Sequence, residues 1–156
     1  MIMTRYRSLL AVILAAVMTF LVSCSSPSAT QPPTYTPEKI ARIEQVAAPL
    51  AELRDRMATL ERKIVQRNWT DVGTYIHGPL GELRRTMSLV TRELLPQEQK
   101  AATATAKDLF SRLETIDLAT SDNDYQKAIE NYRLAVKDFD AFLRLLPQPS
   151  ESGLSG

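Results

Sequence analysis

The sequence predicts an all-α fold, an up-down-up-down four-helix bundle. Three observations predict it. Apolar residues fall into four sets whose spacing alternates between three and four, the seam that a helix buries in a bundle. No stretch sustains the apolar–polar alternation of a half-buried strand. The connections between sets are a few residues long, so helices adjacent in sequence become antiparallel neighbours without long crossovers. Composition agrees: Ala, Leu, Glu, Arg and Lys, all good helix formers, are plentiful, and aromatics are 6% of the chain.

The first set is Ile40, Ile43, Val46, Leu50, Leu53, Met57, Leu60 and Ile64. Thr36-Pro37-Glu38 opens it with a capping hydroxyl, a proline at the first helical position and an acid in the first turn. Pro49 lies inside this helix, expected over Pro37 to Gln66, and should kink it. The second set is Val72, Ile76, Leu80, Leu83, Met87, Val90 and Leu94, with Asn68 or Thr70 as cap and Pro96 as stop. The third is Ala102, Ala106, Leu109, Leu113 and Ile116, with Phe110 beside it, and Pro96 fits its first turn. The fourth is Tyr125, Ile129, Tyr132, Val136, Phe139, Leu143 and Leu146. Ser121 to Asp124 offer a choice of caps, and Pro147 is the stop.

The ends are not bundle. Arg5 and Arg7 precede an apolar run from Leu9 to Val22, shorter than the ~20 residues a membrane-spanning helix needs. That is the pattern of a secretory signal, residues 1–23. Leu21-Val22-Ser23-Cys24 matches the bacterial lipobox, so Cys24 is expected as the first mature residue and the site of lipidation. Each buried methylene contributes ~0.8 kcal/mol, and two or more acyl chains hold a protein stably on a membrane. Cys24 is also the only cysteine. Lipidation therefore leaves no thiol for a disulfide, a metal or catalysis. Residues 24–36, rich in Ser, Thr and Pro, read as a flexible tether. The bundle takes residues 37–147, and 148–156 form a flexible tail.

Removing 23 residues from 156 leaves 133, enough for one domain. The mature chain has 17 basic and 18 acidic residues, since two arginines leave with the signal. No strong field points toward nucleic acid, and the pairs Arg62-Lys63 and Arg84-Arg85 are too sparse for a nucleic-acid footprint. No catalytic residues and no cofactor are expected. A c-type haem needs Cys-x-x-Cys-His, and a di-iron site needs repeated Glu-x-x-His pairs. A non-covalent haem could use His77 with a methionine, but Met57 and Met87 belong to the hydrophobic seams. His77, the single histidine, is at most a weak metal candidate. No nucleophile has a histidine base in a recognisable context, and there is no glycine-rich phosphate loop.

One stretch departs from the helical pattern. "WTDVGTYIHGPLGELRR", from Trp69 to Arg85, holds the only tryptophan, the only histidine and every glycine between Thr36 and Leu146. On a helix, Gly73, His77 and Gly81 share a stripe beside the seam of Ile76 and Leu80. Pro79 cannot donate to the Tyr75 carbonyl, so the helix should kink or open there and free a carbonyl or two. A glycine costs ~1 kcal/mol and an interior proline ~3 kcal/mol in a helix. Two accounts stand side by side. A bare face can let a neighbouring helix approach closely. Alternatively, Trp69, Gly73, His77, Gly78, Pro79 and Gly81, with Arg84 or Arg85 for polar contacts, form a notch in which a partner docks.

The lipobox, the Pro-rich tether, the bundle and the run Trp-x-x-Val-x-x-Tyr-Ile-His-Gly-Pro-Leu-Gly-x-Leu-Arg, here Trp69 to Arg84, together resemble the cyanobacterial PsbQ-like lipoproteins. The central run is the specific part; the lipobox is generic. The resemblance implies a non-catalytic extrinsic subunit of photosystem II, monomeric when isolated and lipid-anchored on the lumenal side of the thylakoid membrane. It implies a role in stabilising the oxygen-evolving complex, alongside PsbO, PsbV and PsbU, and contact with PsbO and the inner antenna chlorophyll protein. It transfers no manganese, calcium or chloride ligand to any residue. Without the resemblance, the residues fit an envelope lipoprotein with a helical-bundle binding domain.

Overall fold

Most helix starts are set by short polar side chains or prolines, and stops by the next proline or a left-handed residue. In the computed structural model, which describes residues 33–147, these signals yield six helices and, among the described residues, no strand. They are α1 (Pro37–Ala47), α2 (Pro49–Val65), α3 (Trp69–His77), α4 (Leu83–Glu93), α5 (Pro96–Asp122) and α6 (Tyr125–Leu143). The signal segment, Cys24, most of the tether and the tail lie outside the described residues. No described helix is long and apolar enough to cross a membrane.

The Thr36 side chain accepts from the Lys39 amide at 3.3 Å and caps α1. The long first helix is divided at Ala48, which keeps right-handed helical angles and bonds to Glu44 O at 2.9 Å. Pro49, with no amide hydrogen to give, begins α2 there. Asn68, rather than Thr70, caps α3 by accepting from the Asp71 amide at 3.4 Å. It follows Arg67, whose φ of 53° turns the chain sharply. Asn123, also at φ 53°, ends α5, and the Asp124 carboxylate accepts from the Lys127 amide at 3.0 Å to start α6.

The six helices form four arms: α1 with α2, α3 with α4, then α5, then α6. Each arm packs on its sequence neighbours, and α6 closes back onto α2. The start of the first arm lies on the end of the second, with Lys39 and Arg42 both bonded to Glu93 at 2.8 and 3.1 Å. Arg54 grips Asp140 through two nitrogens at 2.6 and 3.1 Å, joining α2 to α6.

The predicted seams make the core. From α2, Leu50, Leu53, Met57, Leu60 and Ile64 are buried; from the second arm, Val72, Leu80, Leu83, Met87, Val90 and Leu94. All five residues of the third set are buried. Of the fourth, Ile129, Tyr132 and Phe139 are buried, while Tyr125, Val136, Leu143 and Leu146 are partly covered. Phe142 is fully buried and lies outside the predicted set. Full burial of such a side chain contributes ~1.5–3 kcal/mol.

Tyr35 lies within the stretch read from the sequence as tether. It packs against the core, and its hydroxyl accepts from the Leu95 amide at 3.0 Å. Leu95 precedes Pro96, and its amide has no carbonyl partner in either flanking helix. The tyrosine satisfies it across 60 residues of sequence.

Candidate functional site

The second arm is interrupted, as the prolines and glycines dictate. Helix α3 ends at His77, and residues 78–82 form a tight non-helical passage to Leu83. The Gly78 amide closes the last turn on Thr74 O at 2.9 Å. Pro79 has no amide to offer Tyr75 O, and the Leu80 amide takes that carbonyl instead at 3.2 Å. The Gly81 amide bonds to Gly78 O at 2.9 Å and the Leu83 amide to Leu80 O at 3.0 Å. The Pro79 carbonyl accepts from Arg56 Nη1, on α2, at 2.8 Å. The carbonyl expected to be free for a partner, that of Tyr75, is thus used inside the protein. A five-residue reach and a basic side chain from the next arm reclaim what the proline released.

The glycines serve different needs. A Cβ on Gly81 would lie 2.6 Å from His77 O and 3.1 Å from Gly78 O, both backbone atoms that cannot step aside. A Cβ on Gly78 would lie 3.0 Å from Thr74 O. At Gly73 the nearest atom is Asp117 Oδ1 of α5, at 3.3 Å. The stripe therefore faces α5, and close approach to a neighbouring helix is part of its purpose.

His77 meets the same carboxylate: its Nε2 lies 3.0 Å from Asp117 Oδ2. Its side chain nevertheless remains 71% exposed. Beyond the interruption, Arg84 stacks over Phe110 with its guanidinium carbon 4.2 Å from the ring centroid. Its Nη2 bonds to Glu114 Oε1 at 3.0 Å. Ile76, His77, Gly81, Arg84, Phe110 and Asp117 thus border a recess of about 350 Å³ between the second arm and α5. It runs into a larger groove of about 760 Å³ between α4 and α5, with Arg84, Phe110 and Glu114 lining both.

The structure gathers Gly73, His77, Gly81 and Arg84 on this side. Pro79 turns its carbonyl to α2. Trp69 stands at the other end of α3, partly buried against the core. Arg85 points to the opposite flank of α4, beside Arg42, Val46, Pro49 and Leu89. The eight residues expected to form one notch are therefore divided among different surroundings, with Gly78 inside the turn against Thr74 O, because the interruption turns the chain and consecutive helical residues diverge by about 100°. Asp117, Phe110 and Glu114 complete the face and were not legible beforehand, since nothing in α5 alone announces its partners. Among the described residues, no cluster of three or more His, Cys, Asp or Glu could hold a metal. The arrangement is one of charged and stacked groups on a recessed surface, suited to binding.

Comparison with known proteins gives two matches. The PsbQ family model, described as oxygen evolving enhancer protein 3, matches residues 3–147. CyanoQ of Synechocystis sp. (strain ATCC 27184 / PCC 6803 / Kazusa) is 49% identical over 149 residues, covering 95% of this chain and 100% of the relative.

Proposed function

This chain belongs to the PsbQ family of oxygen-evolving enhancer proteins, and from that premise we propose that it is a lipid-anchored extrinsic subunit of photosystem II. Members of the family associate with photosystem II as non-enzymatic extrinsic proteins. The finer reading is that this chain stabilises the oxygen-evolving complex on the lumenal side of the thylakoid membrane, near PsbO and the inner antenna chlorophyll protein. Cys24 carries the lipid, and the recessed face around His77 and Arg84 meets the complex.

The observation that carries the reading is the extent of the match. It begins at residue 3, inside the leader, and continues to the end of the bundle. The matched span takes in the stretches read as leader, lipobox and bundle, the parts that an anchored and exported subunit requires. The recess supports a binding role in a second way: its charged groups, His77 with Asp117 and Arg84 with Glu114, are largely exposed.

Photosystem II isolated at low ionic strength should retain the protein. Its absence from such preparations would leave only an envelope lipoprotein with a helical-bundle binding domain. Mass spectrometry of the mature N-terminus should find Cys24 acylated. Cys24→Ser should release the protein from membranes, except for the share held by protein contacts. An unmodified Cys24 would refute the anchor without touching the subunit reading.

A further inference from the structure

The larger groove between α4 and α5 has a charge pattern that the recess at His77 lacks. At the His77 end, each cation has an acid: Asp117 for His77 and Glu114 for Arg84. Toward the Pro96 end the cations stand alone. Arg92 and Lys107 line the groove, Lys100 extends it, and none of the three has an ion-pair partner among the described residues. Glu98, two residues from Lys100, accepts from Gln97 Nε2 at 3.0 Å and is in no ion pair among the described residues, while the acids flanking Arg92 and Lys107 are turned elsewhere. Glu93 is held by Lys39 and Arg42 on the α1 side of α4. Asp108 lies toward Asp138 of α6. Between the cations, Ser88, Thr103 and Ser111 offer hydroxyls, and Ala106 with Phe110 makes an apolar floor.

We propose that this groove binds an extended, acidic segment of a partner polypeptide. The inference rests on the binding role above and specifies its ligand chemistry. Charge decides the sign of the occupant: three unmatched cations at one end favour carboxylates. The α5 wall from Gln99 to Glu114 is about 22 Å long at 1.5 Å per residue, a length that six or seven residues of an extended chain rising about 3.3 Å each would span. Its carboxylates meet Arg92, Lys100 and Lys107, and its apolar residues meet Phe110.

The test titrates the folded mature chain with a labelled heptapeptide of alternating Glu and Pro, which is extended in solution. A Lys-Pro heptapeptide is the control ligand. Arg92→Glu with Lys107→Glu should weaken binding by about tenfold or more. Arg133→Glu with Lys137→Glu, exposed on α6, should leave it within about twofold, and circular dichroism should show both variants folded. No binding of the acidic peptide, equal losses in both variants, or equal binding of the basic peptide would overturn the groove proposal. Rebinding to photosystem II stripped of its extrinsic proteins separates this from the broader reading. Failure of the wild type to rebind counts against the subunit assignment. Rebinding by the wild type and the groove variant alike counts against the groove alone.

Discussion

His77 and Gly81 lie one helical turn apart in sequence, yet different forces hold them in place. His77 is mostly exposed and touches one carboxylate. An exposed pair of this kind adds little to stability. His77→Ala should therefore leave the melting temperature within a degree or two while weakening retention on photosystem II; a large thermal loss with unchanged retention would assign it a packing role instead. Gly81 is the reverse case. Any side chain there collides with backbone, so Gly81→Ala should cost about 1–3 kcal/mol. A bulkier Gly81→Leu would confound binding with misfolding and is a poor probe of the surface. At Gly73 the obstacle is the movable end of Asp117, and alanine gains helix propensity. Gly73→Ala should be neutral or slightly stabilising in thermal unfolding.

At the scale of the element, the second arm shows what a proline inside a helix requires of its neighbours. Two reverse-turn bonds, the five-residue bond from Leu80 to Tyr75 and Arg56 keep residues 79–82 ordered without helical pairing. Arg56 also holds Glu52, one turn back on its own helix, at 2.6 Å. Removing it as Arg56→Ala should leave the Pro79 carbonyl without its cation. Hydrogen exchange should then quicken at the amides of Leu80 and Gly81, with core amides in α5 unaffected. Equal protection in both proteins would mean that the turn bonds suffice alone. The interruption itself was legible, because Gly78-Pro79 cannot continue a helix. The destination of the freed carbonyls was not, since Arg56 lies 23 residues earlier with nothing to mark it.

Across the whole molecule, the arms are tied by carboxylates whose titration sets the acid limit. Hydrogen bonds from Lys39 and Arg42 hold Glu93 below the usual carboxylate range, and those from Arg54 do the same for Asp140. A lowered native value means that the unfolded chain takes up protons first as pH falls. The stabilisation is complete above the unfolded value near ~4 and is lost as pH drops through the native ones. Burial raises Asp138, which works in the opposite sense and offsets part of the loss. At the alkaline end, burial and the neighbouring Glu61 push Tyr132 up to about 12. Its contribution is intact below the unfolded value of about 10 and disappears as pH rises through 12. Melting temperature against pH should thus be flat near neutrality and fall at both ends. Tyr132→Phe should blunt the alkaline fall specifically, and an unchanged alkaline limb would remove Tyr132 as its source.

The sequence by itself determined the helical sets and nearly the whole core, because spacing along one chain fixes which face of a helix is apolar; it narrowed the caps of α3 and α6 to a few candidates, and the structure chose Asn68 and Asp124. The sequence also determined the break at Gly78-Pro79, a local steric fact. Only the tertiary structure decided that Asp117 lies against Gly73 and His77, and that Phe110 lies under Arg84. It likewise decided that Tyr35 closes the Leu95 corner and that Arg92 and Lys107 stand unmatched in one groove. Those facts depend on how far and at what angle separate arms approach, which local periodicity does not encode. Trp69 and Arg85 show the same limit from the other side: they flank the break in sequence, one at the far end of α3 and one just inside α4, and face other surroundings.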